Sequence, residues 1–504
     1  MTTKSILIIG AGIAGLSAGC YGQLNGYQTR IFELHTSPGG LCTAWKRKGY
    51  TIDGCIHWLV GSKRGSGFYR VWQELGALQG KTIVDHEEFL RVEGPGGKTF
   101  VVYTNADRLE RHMKTLAPAD AKVIEEFCSG IRSMTRFPDA PPDTSRGPLA
   151  WLKAVPGFIA MAPALMLFNK YKSVTIKDFA HRFTDPFLRQ AFLDIFGYPD
   201  FALTGLLMTL AWMHNGNAGY PIGGSLPFAQ AIEKRYLDLG GEVHYNSRVE
   251  KILVENNRAV GVRLTDGSEH RADVVISAAD GHATIFDMLG GNYVDDEIRG
   301  YYETLPIFEP VVIVSLGIAR DLSRTPHAVT WTLDKPVSLA GELRPSLSLS
   351  HYGYDPTLAP AGKSVVEFML TSNYKYWKEL AGDSERYEAE KKQIALTVME
   401  QLDRRFPGIT AEVEVVDVAT PLTFERYTGN WQGSFEGWQI TPKTLGMIMS
   451  GKGMRKTLPG LENFYMIGQW VEPGGGLPTG AMSARGMIKT LCAKDQRPFV
   501  TKAA

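Results

Sequence analysis

A chain of 504 residues is long enough for two or three domains and a large core. Its 44 % hydrophobic and 21 % charged residues exclude a disordered or fibrous protein, and a net charge of +1 offers no field to gather nucleic acid. Cys20, Cys42, Cys55, Cys128 and Cys492 are odd in number and lack CxxC spacing, so reduced thiols are expected, with neither a disulfide framework nor a metal site. The opening MTTKS runs into an apolar strand with no hydrophobic leader or cleavage site, which predicts a cytoplasmic protein.

Ser5–Ile9 is a short apolar run of the kind a parallel strand uses when both its faces are covered. Gly10, Gly12 and Gly15 follow as G-x-G-x-x-G. Leu16 to Leu24 has helical apolar spacing, and Tyr27 to Glu33 reads as a second strand ending on an acid. Gly10 permits a tight turn, Gly12 lets backbone approach a pyrophosphate at the helix N-terminus, and Gly15 lets helix and strand pack closely. Glu33 then stands where it can accept hydrogen bonds from ribose hydroxyls. A second pair, Gly39-Gly40, predicts another close approach of backbone to the cofactor.

The first insert, residues 85–215, holds the most apolar stretch, Pro148 to Phe168. It reads as a patch dipping into one leaflet or a greasy tunnel wall, or else as plain buried helix. A spanning segment is opposed by Pro156, Pro163 and Lys153. Phe201 to Met213 reads as adaptable lining for a long apolar ligand, or as ordinary core. From Pro221 the pattern gives a turn with Ser225 as helix N-cap, and an amphipathic helix from Pro227 to Leu239 stopped by Gly240-Gly241. Two strands turning at Asn256-Asn257 follow, then a buried strand within Ala272 to Asp280. The second insert, 295–420, reads as antiparallel strands followed by a charged helix near Ser384 to Phe406. At the end of the chain a strand from Phe464 to Ile467 leads through the glycine loop Gly474 to Gly476 into a helix from about Gly480 to Leu491. Such a crossing exposes N–H groups at a second helix N-terminus.

The E-x5-GG run from Glu33, the segment AWKRKGYTIDGCIHWLVG after it, the P-x-GG turn at Pro221 and the terminal glycine loop together resemble one family. It is the phytoene desaturase, carotenoid cis–trans isomerase and retinol saturase branch of the FAD-dependent amine-oxidase superfamily. The resemblance implies an α/β fold. A Rossmann-like FAD domain would be built from 1–84, 216–294 and 421–504, and a substrate domain of mixed or antiparallel sheet plus helices from 85–215 and 295–420. It also implies FAD contacts from Gly10, Gly12, Ala14, Gly15, Glu33, Gly39, Gly40, Leu41, Val249, Ala278, Gly468, Gln469, Leu477, Thr479 and Ala481. Relatives commonly place Arg just after the glycine pair; here Leu41 and Cys42 follow, leaving Lys46 or Arg47 as substitutes. Many also carry Gly-Asp where this chain has Gly468-Gln469.

With flavin doing the redox work, side chains are needed only to orient and to handle charge. His57 (a proton donor or a structural histidine), Glu472 and Tyr427 are the catalytic candidates, with Asp53, Trp58 and Trp438 nearby in sequence. The expected activity is desaturation, isomerisation or saturation of a long isoprenoid or carotenoid, with contact to a membrane surface and none to nucleic acid. A flavin amine oxidase and a non-catalytic lipid-binding escort are the alternatives. Cys492 is poorly placed for the covalent flavin tether that many amine oxidases use.

Overall fold

The computed structural model describes residues 3–140, 150–449, 453–474 and 476–502. Pro148, Leu149 and Gly475 therefore lie outside the described residues.

Five parallel strands make the central sheet, in the order Glu242–His244, Gln28–Phe32, Ser5–Ile9, Val274–Ser277 and Phe464–Met466. They come from three separate stretches of the chain. Alternation along Ser5–Ile9 shows why this strand is apolar throughout. Ile6 and Ile8 face a core shared with the helices Ile13–Leu24, Ser225–Asp238 and Gly476–Lys494. Leu7 and Ile9 face the other way, against the antiparallel strands Val249–Glu255 and Arg258–Leu264. Each such side chain contributes about 2 kcal/mol by leaving water. Asn256 and Asn257 turn the hairpin at φ 49° and 59°, the left-handed pair that a two-residue hairpin needs.

A second sheet has seven strands in the order Val413–Ala419, Val311–Ile318, Ser364–Thr371, Glu342–His351, Ala328–Leu339, Glu88–Glu93 and Thr99–Tyr103. Its pairings are antiparallel except that between Ala328–Leu339 and Glu88–Glu93. The predicted charged helix occupies Ser384–Arg405, capped by Asp383, and packs on this sheet through Ile394, Val398 and Leu402.

Three boundaries differ from the sequence pattern for local reasons. The helix expected after Ser225 as N-cap begins at Ser225 itself, with Gly224 as cap at φ +67°. A Cβ on Gly224 would stand 2.1 Å from Asp53 Oδ2, and that carboxylate does the capping: Ser225 donates to it through both N–H and Oγ, at 2.5 Å each. The last helix starts at Gly476, ahead of Gly480, because Pro478 falls in a first turn where no N–H is required. Ala150–Tyr171 is one helix of 22 residues, running through Pro156 and Pro163. Among the described residues no helix is long and apolar enough to cross a membrane. Along Phe201 to Met213, Leu203, Leu206, Leu207 and Leu210 are core, while Met213 reaches a cavity.

Candidate functional site

The first glycine turn is fixed by backbone alone. Gly10, at φ +95°, donates its N–H to Phe32 O at 2.8 Å. A Cβ on Gly15 would lie 1.9 Å from Gly10 O, so helix and turn touch there. The helix Ile13–Leu24 starts at Gly12 with no side-chain cap and no acid in its first turn. Its open N–H groups and dipole form an anion site.

The other predicted loops gather on the same point. Gly39 N–H donates to Ala11 O at 2.9 Å, and Gly12 and Gly39 form a parallel bridge. A Cβ on Gly40 would stand 3.4 Å from Gly12 Cα. Ala278 donates to Ile9 O at 2.9 Å, beside Gly10. From the far end of the chain, Gly468 and Gly480 come up to Ala14, within 3.5 and 3.6 Å of its Cβ measured from their ideal Cβ positions. Gly468 is held by a hydrogen bond from its N–H to Ser483 Oγ at 3.1 Å. Leu477 packs against the same core, Ala481 is fully buried, and Thr479 lies beside Gly474. Thus the loop after the last strand closes on the loop after the first, although nearly the whole chain separates them.

Glu33 is 5 % exposed. Its two oxygens accept from Ala11 N–H at 2.6 Å and His35 N–H at 2.8 Å. Burial pushes its pKa above the ordinary carboxylate value, and those N–H groups oppose the rise. Ser247 N–H donates to Glu33 O at 2.8 Å, which brings the start of the strand at Val249 next to this acid. Leu41 lies in the turn after Gly40. Neither suggested substitute for the missing arginine turns toward the glycine loops: Arg47 pairs with Asp417 at 3.1 Å, and Lys46 is exposed beside it in the same strand. The open helix N-terminus and bare glycine backbone are the anion-binding features that remain.

The catalytic candidates are scattered. Tyr427 is 46 % exposed and meets His35 edge-on at 5.1 Å, on the Glu33 side. Glu472 is neutralised by an ion pair with Lys456. Trp438 is fully buried and donates to Trp470 O at 3.1 Å, a packing role. Cys492 is buried beside Tyr27 in the last helix. His57 faces a cavity. Its Nδ1 lies 3.2 Å from Cys55 O; a carbonyl only accepts, so Nδ1 carries the proton and Nε2 presents a lone pair. Burial lowers its pKa, so the ring is neutral and suited to accept a proton rather than donate one.

That cavity, of about 160 Å³, is also lined by Trp58, His86, Phe89, Met213, His327 and Tyr352. His86 and His327 stack with centroids 3.9 Å apart. Burial pushes them down to about 4 and about 3, so both are neutral near pH 7. From Trp58 a train of rings continues through Phe196 (6.4 Å), Phe201 (5.4 Å), Phe308 (6.3 Å) and Phe435 (5.5 Å). It ends beside Gly437, whose ideal Cβ would lie 3.2 Å from Gln469 Cγ. The histidine pair and these rings are not legible as a site, since they come from connections spread along the chain and no spacing links them.

Known proteins agree with this geometry. The chain is 24 % identical to the chloroplastic prolycopene isomerase of Daucus carota, over 99 % of this chain and 82 % of that protein. It is 25 % identical to a lycopene-forming phytoene desaturase of Paracoccus sp., over 97 % of each. Among solved structures, an oxidoreductase from Methanosarcina mazei matches with a TM-score of 0.58 at 18 % identity, covering 96 % of this chain and all of that one. Putrescine oxidase matches with a TM-score of 0.61 at 12 % identity, over 98 % of this chain and 99 % of that one, a likeness of fold alone. The family described as flavin containing amine oxidoreductase matches residues 13–486. With a match that runs from the first helix to the last, and two further glycine loops converging on the turn from Ala11 to Ala14, this chain belongs to the flavin-containing amine oxidoreductase family.

Proposed function

We propose that the chain is an FAD-dependent oxidoreductase acting on carbon–carbon bonds of a long hydrophobic isoprenoid or carotenoid, by desaturation, isomerisation or saturation. The observation that carries this reading is the pairing of the converged glycine loops with a cavity walled largely by aromatic and neutral histidine side chains, from which a train of packed rings leads away. In this reading the FAD domain comprises 1–84, 216–294 and 421–504, and the substrate domain 85–215 and 295–420. Gly10, Gly12, Gly15, Gly39 and Gly40 would hold the diphosphate, Glu33 the adenosine ribose, and Gly468 to Ala481 the ring end. Bound flavin supplies two-electron redox chemistry. The protein's own part is to hold a flexible apolar chain against Trp58, Phe89 and Met213, to exclude water, and to present neutral histidine faces. The test is incubation of the FAD-loaded protein with a poly-cis acyclic carotene in liposomes, anaerobically with reduced flavin and aerobically with oxidised flavin, read as product mass. A loss of two mass units means desaturation, altered retention at constant mass means isomerisation, and a gain of two means saturation. Unchanged carotene with flavin bound and reducible would overturn the assignment.

Delivery of such a substrate needs a lipid surface. Met166 and Leu165 are 73 % and 36 % exposed on the helix Ala150–Tyr171, next to exposed Ala162 and Pro163 and followed by Lys170 and Lys172. An apolar face beside exposed Lys172 suits peripheral contact with anionic lipid, whereas Lys170 is held on Glu126 at 2.7 Å. Met166→Glu is expected to lower co-sedimentation with anionic vesicles about 10-fold, as the loss of one buried methionine implies. Equal binding by the variant would exclude this face.

A further inference from the structure

Three histidines on one cavity leave ring nitrogens unpaired. His57, His86 and His327 line it together with Trp58, Phe89 and Met213. His57 donates from Nδ1 to Cys55 O, so its Nε2 is a free acceptor. His86 Nε2 is buried without a partner. A buried N–H with no acceptor costs more than a bare lone pair, so the His86 proton sits on Nδ1. Among the described residues nothing pairs with His86 Nδ1 or with either nitrogen of His327, and these atoms are not covered, so they open on the cavity. Burial keeps all three rings neutral near pH 7, so His327 also carries one donor and one acceptor.

A histidine with a purely structural role looks different in the same wall. His351 Nδ1 accepts from Gly353 N–H at 3.1 Å and its Nε2 lies 3.2 Å from Thr325 O, so both of its nitrogens are satisfied. His86 and His327 are held by their faces and their backbone instead. The two rings stack at 3.9 Å, and Tyr354 meets His86 edge-on at 4.5 Å. His351 N–H donates to His327 O at 2.8 Å, and Thr104 Oγ1 donates to His86 O at 2.9 Å. Their orientation is therefore set before any ligand arrives, with the hydrogen-bonding edges left over. A pocket that is apolar apart from a few fixed polar edges uses those edges to orient and select its ligand.

The edges select the group they bind. His86 Nδ1 and one nitrogen of His327 donate; His57 Nε2 and the other nitrogen of His327 accept. A hydroxyl donates and accepts, so it uses both kinds at once. A carbonyl or an ether only accepts and leaves the His57 lone pair unused. A carboxylate would meet the carboxylates of Asp85 and Glu88 in the same lining. An ammonium only donates and would face the His86 N–H. A plain hydrocarbon strips water from every edge and returns nothing. Resting on the reading of this cavity as the place of a long isoprenoid, we propose that the edges of His57, His86 and His327 form a hydroxyl-binding subsite, and that the preferred substrate is an isoprenoid alcohol rather than a hydrocarbon. The alcohol oxygen accepts from the His86–His327 pair and its proton is given to a lone pair of His57 or His327. The apolar chain runs on against Trp58, Phe89 and Met213.

The experiment titrates the FAD-loaded protein with poly-cis lycopene, with its 16-hydroxy derivative and with the methyl ether of that alcohol. Binding is read by quenching of tryptophan fluorescence, and conversion by product mass and retention. Wild type is compared with His327→Phe and His86→Phe, which keep a stacked ring pair and remove the nitrogens. The alcohol is expected to bind about tenfold more tightly than the hydrocarbon, the worth of one hydrogen bond between neutral groups, and the ether no more tightly than the hydrocarbon. In His327→Phe the preference for the alcohol should shrink to about twofold or less, and His86→Phe should reduce it as well. Equal binding of alcohol and hydrocarbon by wild type would overturn the proposal. So would an ether that matches the alcohol, or a preference that persists in both variants. Should one variant fail to fold, the other decides; should both fail, the wild-type comparison of alcohol, ether and hydrocarbon decides. Failure of the wild type to bind or convert any of the three ligands would instead strike the functional reading itself, before the variants are compared.

Discussion

Gly15→Val should purify colourless and melt about 3 °C below wild type. A Cβ at residue 15 would lie 1.9 Å from Gly10 O. That oxygen cannot retreat, because Gly10 is fixed at φ +95° with its N–H on Phe32 O and its neighbour Ala11 on Glu33. The helix must move off the strand, and overpacking of this kind costs about 3 kcal/mol, with about 1 °C lost per kcal/mol in a chain of this size. Gly12→Ala separates folding from cofactor binding. Gly12 has an ordinary φ of −67°, and a Cβ there finds only Gly39 O at 3.9 Å. Its apo form should melt near wild type, while FAD affinity falls at least tenfold, because the methyl stands over the open N–H groups of the helix. Differential scanning calorimetry and flavin titration read the two effects. A Gly12→Ala protein that holds FAD as tightly as wild type would exclude the diphosphate from this helix end.

Local features were legible in the sequence because they are enforced locally. Gly10, Gly12 and Gly15 are spaced by the turn and helix they serve, Glu33 ends the adjacent strand, and the Asn256-Asn257 hairpin is written in two adjacent residues. Ser225 was legible as a helix start but not as the first helical residue, since the capping oxygen comes from Asp53, far away in the chain. Pairing was similarly hidden. Glu472 looked like an active-site acid until Lys456 was found against it, and Arg47 looked available for phosphate until it was found on Asp417. His57 was visible as a residue type, yet its tautomer is set by the Cys55 carbonyl, which only folded geometry reveals. The ring train joins Trp58, Phe196, Phe308 and Phe435 from four separate connections between elements, and no periodicity announces it.

Glu367→Gln should raise stability at pH 8.5 and leave it unchanged at pH 5. Glu367 is 3 % exposed in the sheet behind the cavity, where Tyr352 OH and Ser315 Oγ donate to it at 3.0 and 3.3 Å. Burial, followed by the field of Asp53, pushes its pKa up to about 8 from an ordinary 4.5. Between those values the native state binds the proton that the unfolded chain has lost, so stability declines as pH rises across that window, and the full penalty applies above pH 8. Glutamine keeps the shape and an acceptor for Tyr352 while removing the charge. The expected gain at pH 8.5 is on the order of 2 to 4 kcal/mol in denaturant unfolding, with none at pH 5, where the wild-type carboxyl is already neutral. A loss at pH 8.5 would mean that the two hydroxyls stabilise an anion there. The same burial acts on His57, His86 and His327, whose pKa values all lie below the usual histidine range. Near pH 7 these imidazoles and Glu367 are uncharged together. The three imidazoles of the cavity wall are therefore neutral faces against which an apolar polyene can lie, and the charges that remain in the lining are the carboxylates of Asp85 and Glu88, the latter paired with Arg91 at 2.6 Å.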